Sequence, residues 1–136
     1  MSAKRVAAVG VFSALAYVGS FVLMSIPNAT LSILLVFYAG YYLGVTGGAL
    51  TGTMSALLIS LFNPYGLAML PILAAQVLAY LIIGALGGLF ANRFGYDDYR
   101  TGVVPLSLLG LLTALMYQAP VSVADAWLLG PFWGWL

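Results

Sequence analysis

From Val6 to Asn92 the chain has no aspartate, glutamate, lysine or arginine. A stretch of that length without charge has no solvent-facing side in water, because soluble domains carry about 25% charged residues. Here the whole chain of 136 residues is 64% hydrophobic and 5% charged, with a mean hydropathy of +1.12. The composition predicts an all-α integral membrane protein, a single domain over residues 1–136, because helices satisfy every backbone polar group internally in lipid.

Helical spans need roughly 20 apolar residues, with about 17 as the lower limit. Breaks rich in Gly, Pro and Asn fall at Pro27-Asn28, Thr46-Gly47-Gly48, Asn63-Pro64-Tyr65-Gly66, Asn92 to Thr101, and Pro120 to Asp125. They divide the chain into a bundle of five transmembrane helices at about 5–26, 30–46, 47–62, 68–92 and 102–119. Residues from Gly130, reading "GPFWGWL", form the start of a truncated sixth. Spans two and three are short, each about 24 Å at 1.5 Å per residue. Lys4 and Arg5 precede an apolar stretch too long for a signal peptide, and further spans follow it, so the first helix is retained.

Threading five spans places Lys4, Arg5, Arg93 and Arg100 on one side of the membrane. By the positive-inside rule that side is the cytoplasm, and the N-terminus is cytoplasmic in a multi-pass protein of the cell membrane. Merging spans two and three would put the two cationic pairs on opposite faces. The Asn63-Pro64-Tyr65-Gly66 turn is then external.

Apolar side chains gain little by leaving lipid for one another, so helices associate through small residues. Ala3, Ala7, Gly10 and Ala14 form such a stripe on the first helix; Gly48, Gly52, Ala56 and Ser60 form one on the third, and Gly84 and Gly88 on the fourth. Internal packing is the default role of each stripe. The first stripe begins outside the hydrocarbon and runs along the cytoplasmic half, where a partner protein has access to it.

No ionisable group lies inside a span, although intramembrane acids and bases mark proton relays and ion pathways. Asp97, Asp98 and Asp125 lie in predicted loops, and there is no histidine or cysteine. Acid–base hydrolysis, thiolate metal binding and disulfides are therefore not expected, and no enzyme or cofactor is expected. A net charge of +1 offers no field for nucleic acid. Uncharged polar and aromatic residues gather instead toward the external half: Asn28, Asn63, Tyr65, Gln76, Tyr80, Tyr117 and Gln118, with Tyr38 at mid-depth. Gln76 sits about two turns inside the fourth span, with Tyr80 and Gly84 on its face. A buried amide there is bonded either to another helix or to a ligand.

The segments "KRVAAVGVFSALAYVGSFVLMSIPN", "AGYYLGVTGGALTG" and "NPYGLAMLPILAAQVLAYLIIGALGGLF" together resemble the S components of energy-coupling factor (ECF) transporters. The resemblance spans most of the chain and lies in small-residue spacing, break positions and the external turn. It implies a six-helix bundle that captures a vitamin or similar micronutrient from outside and docks on a T subunit driven by two ATPases. It further implies that Ala3, Ala7, Gly10 and Ala14 contact the T subunit. The chain has no G-x-x-x-x-G-K-[ST] loop, so ATP is bound by other chains. The substrate-binding residues expected are Asn28, Tyr38, Asn63, Tyr65, Gln76, Tyr80, Tyr117 and Gln118. With no cationic side chain in the external half, the expected ligand is a neutral or weakly cationic heterocycle, since desolvating an unpaired carboxylate is costly. The rival reading is a non-transporting multispan scaffold of a cell-envelope complex.

Overall fold

The computed structural model describes the backbone of residues 1–22, 31–64, 66–93 and 99–133, and their side chains except at 99–107, 109, 129 and 131–133. The described residues form four helices and no strand: α1 (Ala3–Val22), α2 (Leu31–Leu61), α3 (Leu70–Arg93) and α4 (Tyr99–Trp133). Three of them, α1, α2 and α3, are long and apolar enough to cross a membrane. The chain is thus an all-helical, membrane-embedded protein. Spans one and four of the sequence division correspond to α1 and α3; the part of span one beyond residue 22 lies outside the described residues.

α2 is not a straight rod. Gly44 has φ 84 and ψ 177, outside helical geometry and in a region of backbone space essentially reserved for glycine. Residues eight apart in a continuous helix would be separated by about 12 Å. Gly40 and Gly48 instead meet: a Cβ added to Gly48 would overlap the Gly40 Cα, and a Cβ on either glycine would overlap the Gly84 carbonyl. The chain therefore doubles back at Gly44 into a first arm (31–43) and a second arm (45–61), about 20 and 26 Å long. The sequence predicts this break at Thr46-Gly47-Gly48. Gly47 and Gly48 are buried within the second arm, and the reversal falls on Gly44, two residues earlier.

α3 lies against both arms. Phe37 meets Gly87 on the first arm and Gly52 meets Tyr80 on the second. The small residues of the second arm and of α3 are thus consumed by internal packing, as their default role predicts. Side chains from both arms, α1 and α3 close the core: Ala16, Val36, Phe37, Ala56, Tyr80, Ile83 and Phe90. The Phe37 and Phe90 rings are 6.1 Å apart.

α1 packs against α2 through Ser13, Ala16 and Gly19, all buried. At its start the Arg5 guanidinium donates to the Leu43 carbonyl at 2.9 Å, capping the first arm where its last carbonyls lack helical partners. Gly88 of α3 meets Gly44 and Val45 at the same end, so Arg5, the bend and the Arg93 terminus of α3 share one end of the bundle. The other end carries the turn after Leu61 and the start of α3.

α4 departs most from the sequence expectation. Instead of ending near 119, it runs unbroken through Pro120 to Trp133. Residues 130–133 are accordingly the end of α4 and not the beginning of a sixth helix. Proline removes one helical hydrogen bond, and the helix continues past it. A Gln118 to Ser122 side-chain contact at 3.4 Å straddles it. At about 52 Å, α4 exceeds the roughly 30 Å hydrocarbon core.

Candidate functional site

Within this bundle a hydrogen-bonded cluster joins both arms of α2 to α3 and α4. Gln76 stands in the second turn of α3, and its Oε1 accepts the Ser60 hydroxyl of the second arm at 2.7 Å. The Tyr117 side chain of α4 lies beside the same amide. One turn further along α3 the Tyr80 and Ser32 hydroxyls are 2.7 Å apart, and the Tyr80 and Tyr117 rings meet edge to face at 5.3 Å. Of the two partners open to Gln76 on sequence grounds, a bond to another helix is present.

No buried side-chain nitrogen or oxygen among the described residues lacks a partner. The cluster's groups are neutral hydroxyls and one amide, suited to hydrogen bonding and ring stacking. Among the described residues no grouping of His, Cys, Asp or Glu has the makings of a metal site.

Among the described residues, three of those expected to bind meet here: Gln76, Tyr80 and Tyr117. Tyr38 lies on the outer surface, 54% exposed, with its ring 6.3 Å from that of Phe12 on α1. Gln118 is exposed and turned toward Ser122. Asn63 lies at the end of the bundle, lining a recess of about 430 Å³ with Tyr17, Phe21, Phe62 and Pro64. Asn28 and Tyr65 lie outside the described residues. The cluster adds two groups the sequence does not single out for binding, Ser32 and Ser60. Ser60 reads as one more small residue in a packing stripe, and only its four-residue register with Ala56 and Gly52 hints that it faces α3.

The predicted docking stripe behaves differently from the other small-residue stripes. Ala3, Ala7, Gly10 and Ala14 are all exposed, and nothing lies within 4 Å of a Cβ built on Gly10. α1 thus has two small-residue faces. One is spent on α2; for the other, no part of the described bundle serves as a partner.

Comparison of the chain with protein-family models, with curated proteins and with solved structures finds no match.

Proposed function

We propose that the chain is the substrate-capture subunit of an ECF-type micronutrient transporter. It crosses the cell membrane five times, through α1, the two arms of α2, α3 and α4, with its N-terminus in the cytoplasm. Its partners are a T subunit and two ATPase subunits, and its ligand is a neutral or weakly cationic heterocycle taken from the external side. The observation that carries this reading is the open face of α1. Small residues left exposed by the rest of the described bundle let a second backbone come close, which is how membrane helices associate. The face starts at the cationic end of the bundle, beside Arg5, where a cytoplasmic ATPase complex would be reached.

The scaffold reading draws on a different observation. Ser60 already occupies the Gln76 oxygen, and a bundle that binds no ligand has no use for an open amide. Co-expression with an ECF T subunit and its ATPases separates the two. The wild-type chain is expected to co-purify with them, and Ala7→Trp and Gly10→Trp are expected to lose the complex while remaining monodisperse. A wild-type chain that fails to co-purify, or tryptophan variants that co-purify equally well, contradicts the proposal.

A further inference from the structure

α4 touches the rest of the bundle lightly. Among its described side chains only Thr113 is buried. Next to the edge-to-face contact of Tyr80 with Tyr117, a groove of about 310 Å³ is left between α3 and α4. Its α3 side is Ala75 and Ala79, one helical turn apart and too small to reach across, with Leu78 and Ile82 beside them. Its α4 side is Met116 and Pro120. Leu78, Ile82 and Met116 are exposed, so the groove opens sideways, toward lipid in a membrane-embedded chain.

The lining offers nothing to a water-soluble ligand. Its six residues contribute no polar side chain, and Pro120 has no backbone N–H to give. An apolar hollow of this kind stays dry, and left empty it forfeits the dispersion contacts of its walls. A second helix does not fit it either. At 10–12 Å across and 1.5 Å per residue, a helix takes up more than ~100 Å³ per residue, so the groove holds roughly two residues of one. Close approach of helices also needs small residues at the rim. Here the exposed rim is Leu78, Ile82 and Met116, while Ala79 is buried within.

An acyl chain is thin enough to enter and meets the groove at the right depth. Ala75 and Ile82 follow Leu70, the start of α3, by about 8 and 18 Å along the helix. One leaflet's share of the hydrocarbon core is about 15 Å. The same edge of α4 continues from Met116 and Pro120 through Val123 to Trp127 at helical spacing, the last two exposed. Trp127 lies about 10 Å beyond Pro120 toward that end of the bundle, and tryptophan is enriched at the headgroup level. We infer that the groove binds one acyl chain of a membrane phospholipid, in the leaflet at the bundle end remote from Gly44, and that the chain fills the gap between α3 and α4. The site is separate from the open face of α1 and shares no lining residue with the Gln76 cluster, so it stands or falls without the capture reading.

Native mass spectrometry of the purified chain, after exhaustive exchange into a delipidating detergent, reads the lipid that stays bound. One phospholipid per chain is expected on the wild type and on Leu111→Phe, an exposed position of α4 outside the groove. Ala75→Phe, whose ring would fill the hollow, is expected to retain at least fivefold less. A wild type that retains none, undiminished retention in Ala75→Phe, or a dimer of the chain in place of the lipid adduct overturns the inference. A second readout does not depend on how a variant folds. Phosphatidylcholine carrying a diazirine at mid-chain is photolysed with the wild-type chain in nanodiscs, and the adducts are mapped. Labelling within 75–82 and 116–120 is expected at least fivefold above that at Leu15 and Val18, which are exposed on α1 near the same end of the bundle. Even labelling of the three segments overturns the site.

Discussion

Gln76 shows how one polar side chain is managed in an apolar bundle. Its oxygen takes the Ser60 hydroxyl at 2.7 Å, and side-chain hydrogen bonds between membrane helices average about 0.6 kcal/mol, with a maximum near 1.7. A double-mutant cycle with Gln76→Leu and Ser60→Ala, followed by reversible unfolding in bicelles, is expected to give a coupling of about 0.5–1.5 kcal/mol. A coupling of zero would mean that the amide faces something other than Ser60. Glycines give a sharper contrast at the same scale. A methyl on Gly84 would overlap the Gly48 carbonyl, whereas one on Gly10 meets open space. Gly84→Ala is therefore expected to destabilise by about 3 kcal/mol or more, the upper end for overpacking against backbone. Gly10→Ala is expected to be neutral or stabilising by up to about 1 kcal/mol through helix propensity. Equal effects in the same unfolding assay would contradict the packing described. That Gln76 faces inward was legible, because a buried amide in an apolar helix has few other places to go. The outward turn of Tyr38 was not. Lipid and bundle interior are equally apolar, so polarity does not encode the rotation of a helix that is hydrophobic on every side.

Among the elements, α2 depends most on a single residue. The reversal needs a positive φ at Gly44, a conformation costing an L-residue about 1–3 kcal/mol. Gly44→Ala is expected to lose that much stability. Arg5→Met, which removes the cap on the Leu43 carbonyl, is expected to lose about 0.3–1 kcal/mol. The two losses should be less than additive, because both act on the same bend. Full additivity would indicate that Arg5 does not hold it. The sequence contains the reversal, since only a break in this region puts all the cations on one side, but three glycines compete for it. Gly47 and Gly48 fit a turn equally well until their burial in the second arm is known. At α4 the local signal misleads for another reason. Pro120, Ser122 and Asp125 are turn formers, yet α4 runs through all three, at the loss of one backbone hydrogen bond at the proline.

As a whole the molecule has two ends with different chemistry. One gathers Arg5, the Gly44 bend and the Arg93 terminus of α3, and the open small-residue face of α1 begins there. The other holds the aromatic recess and the turn between α2 and α3. The capture reading requires these ends to lie on opposite sides of the membrane, the cationic one inside. The chain has no native cysteine, so single substitutions report without background. Ser2→Cys and Leu67→Cys place thiols at exposed positions at the two ends, Leu67 being 74% exposed. Intact cells treated with a membrane-impermeant maleimide are expected to label Leu67→Cys and leave Ser2→Cys unlabelled until the membrane is opened. Labelling of Ser2→Cys alone in intact cells would invert the bundle, putting the docking face outside, and would contradict the capture reading.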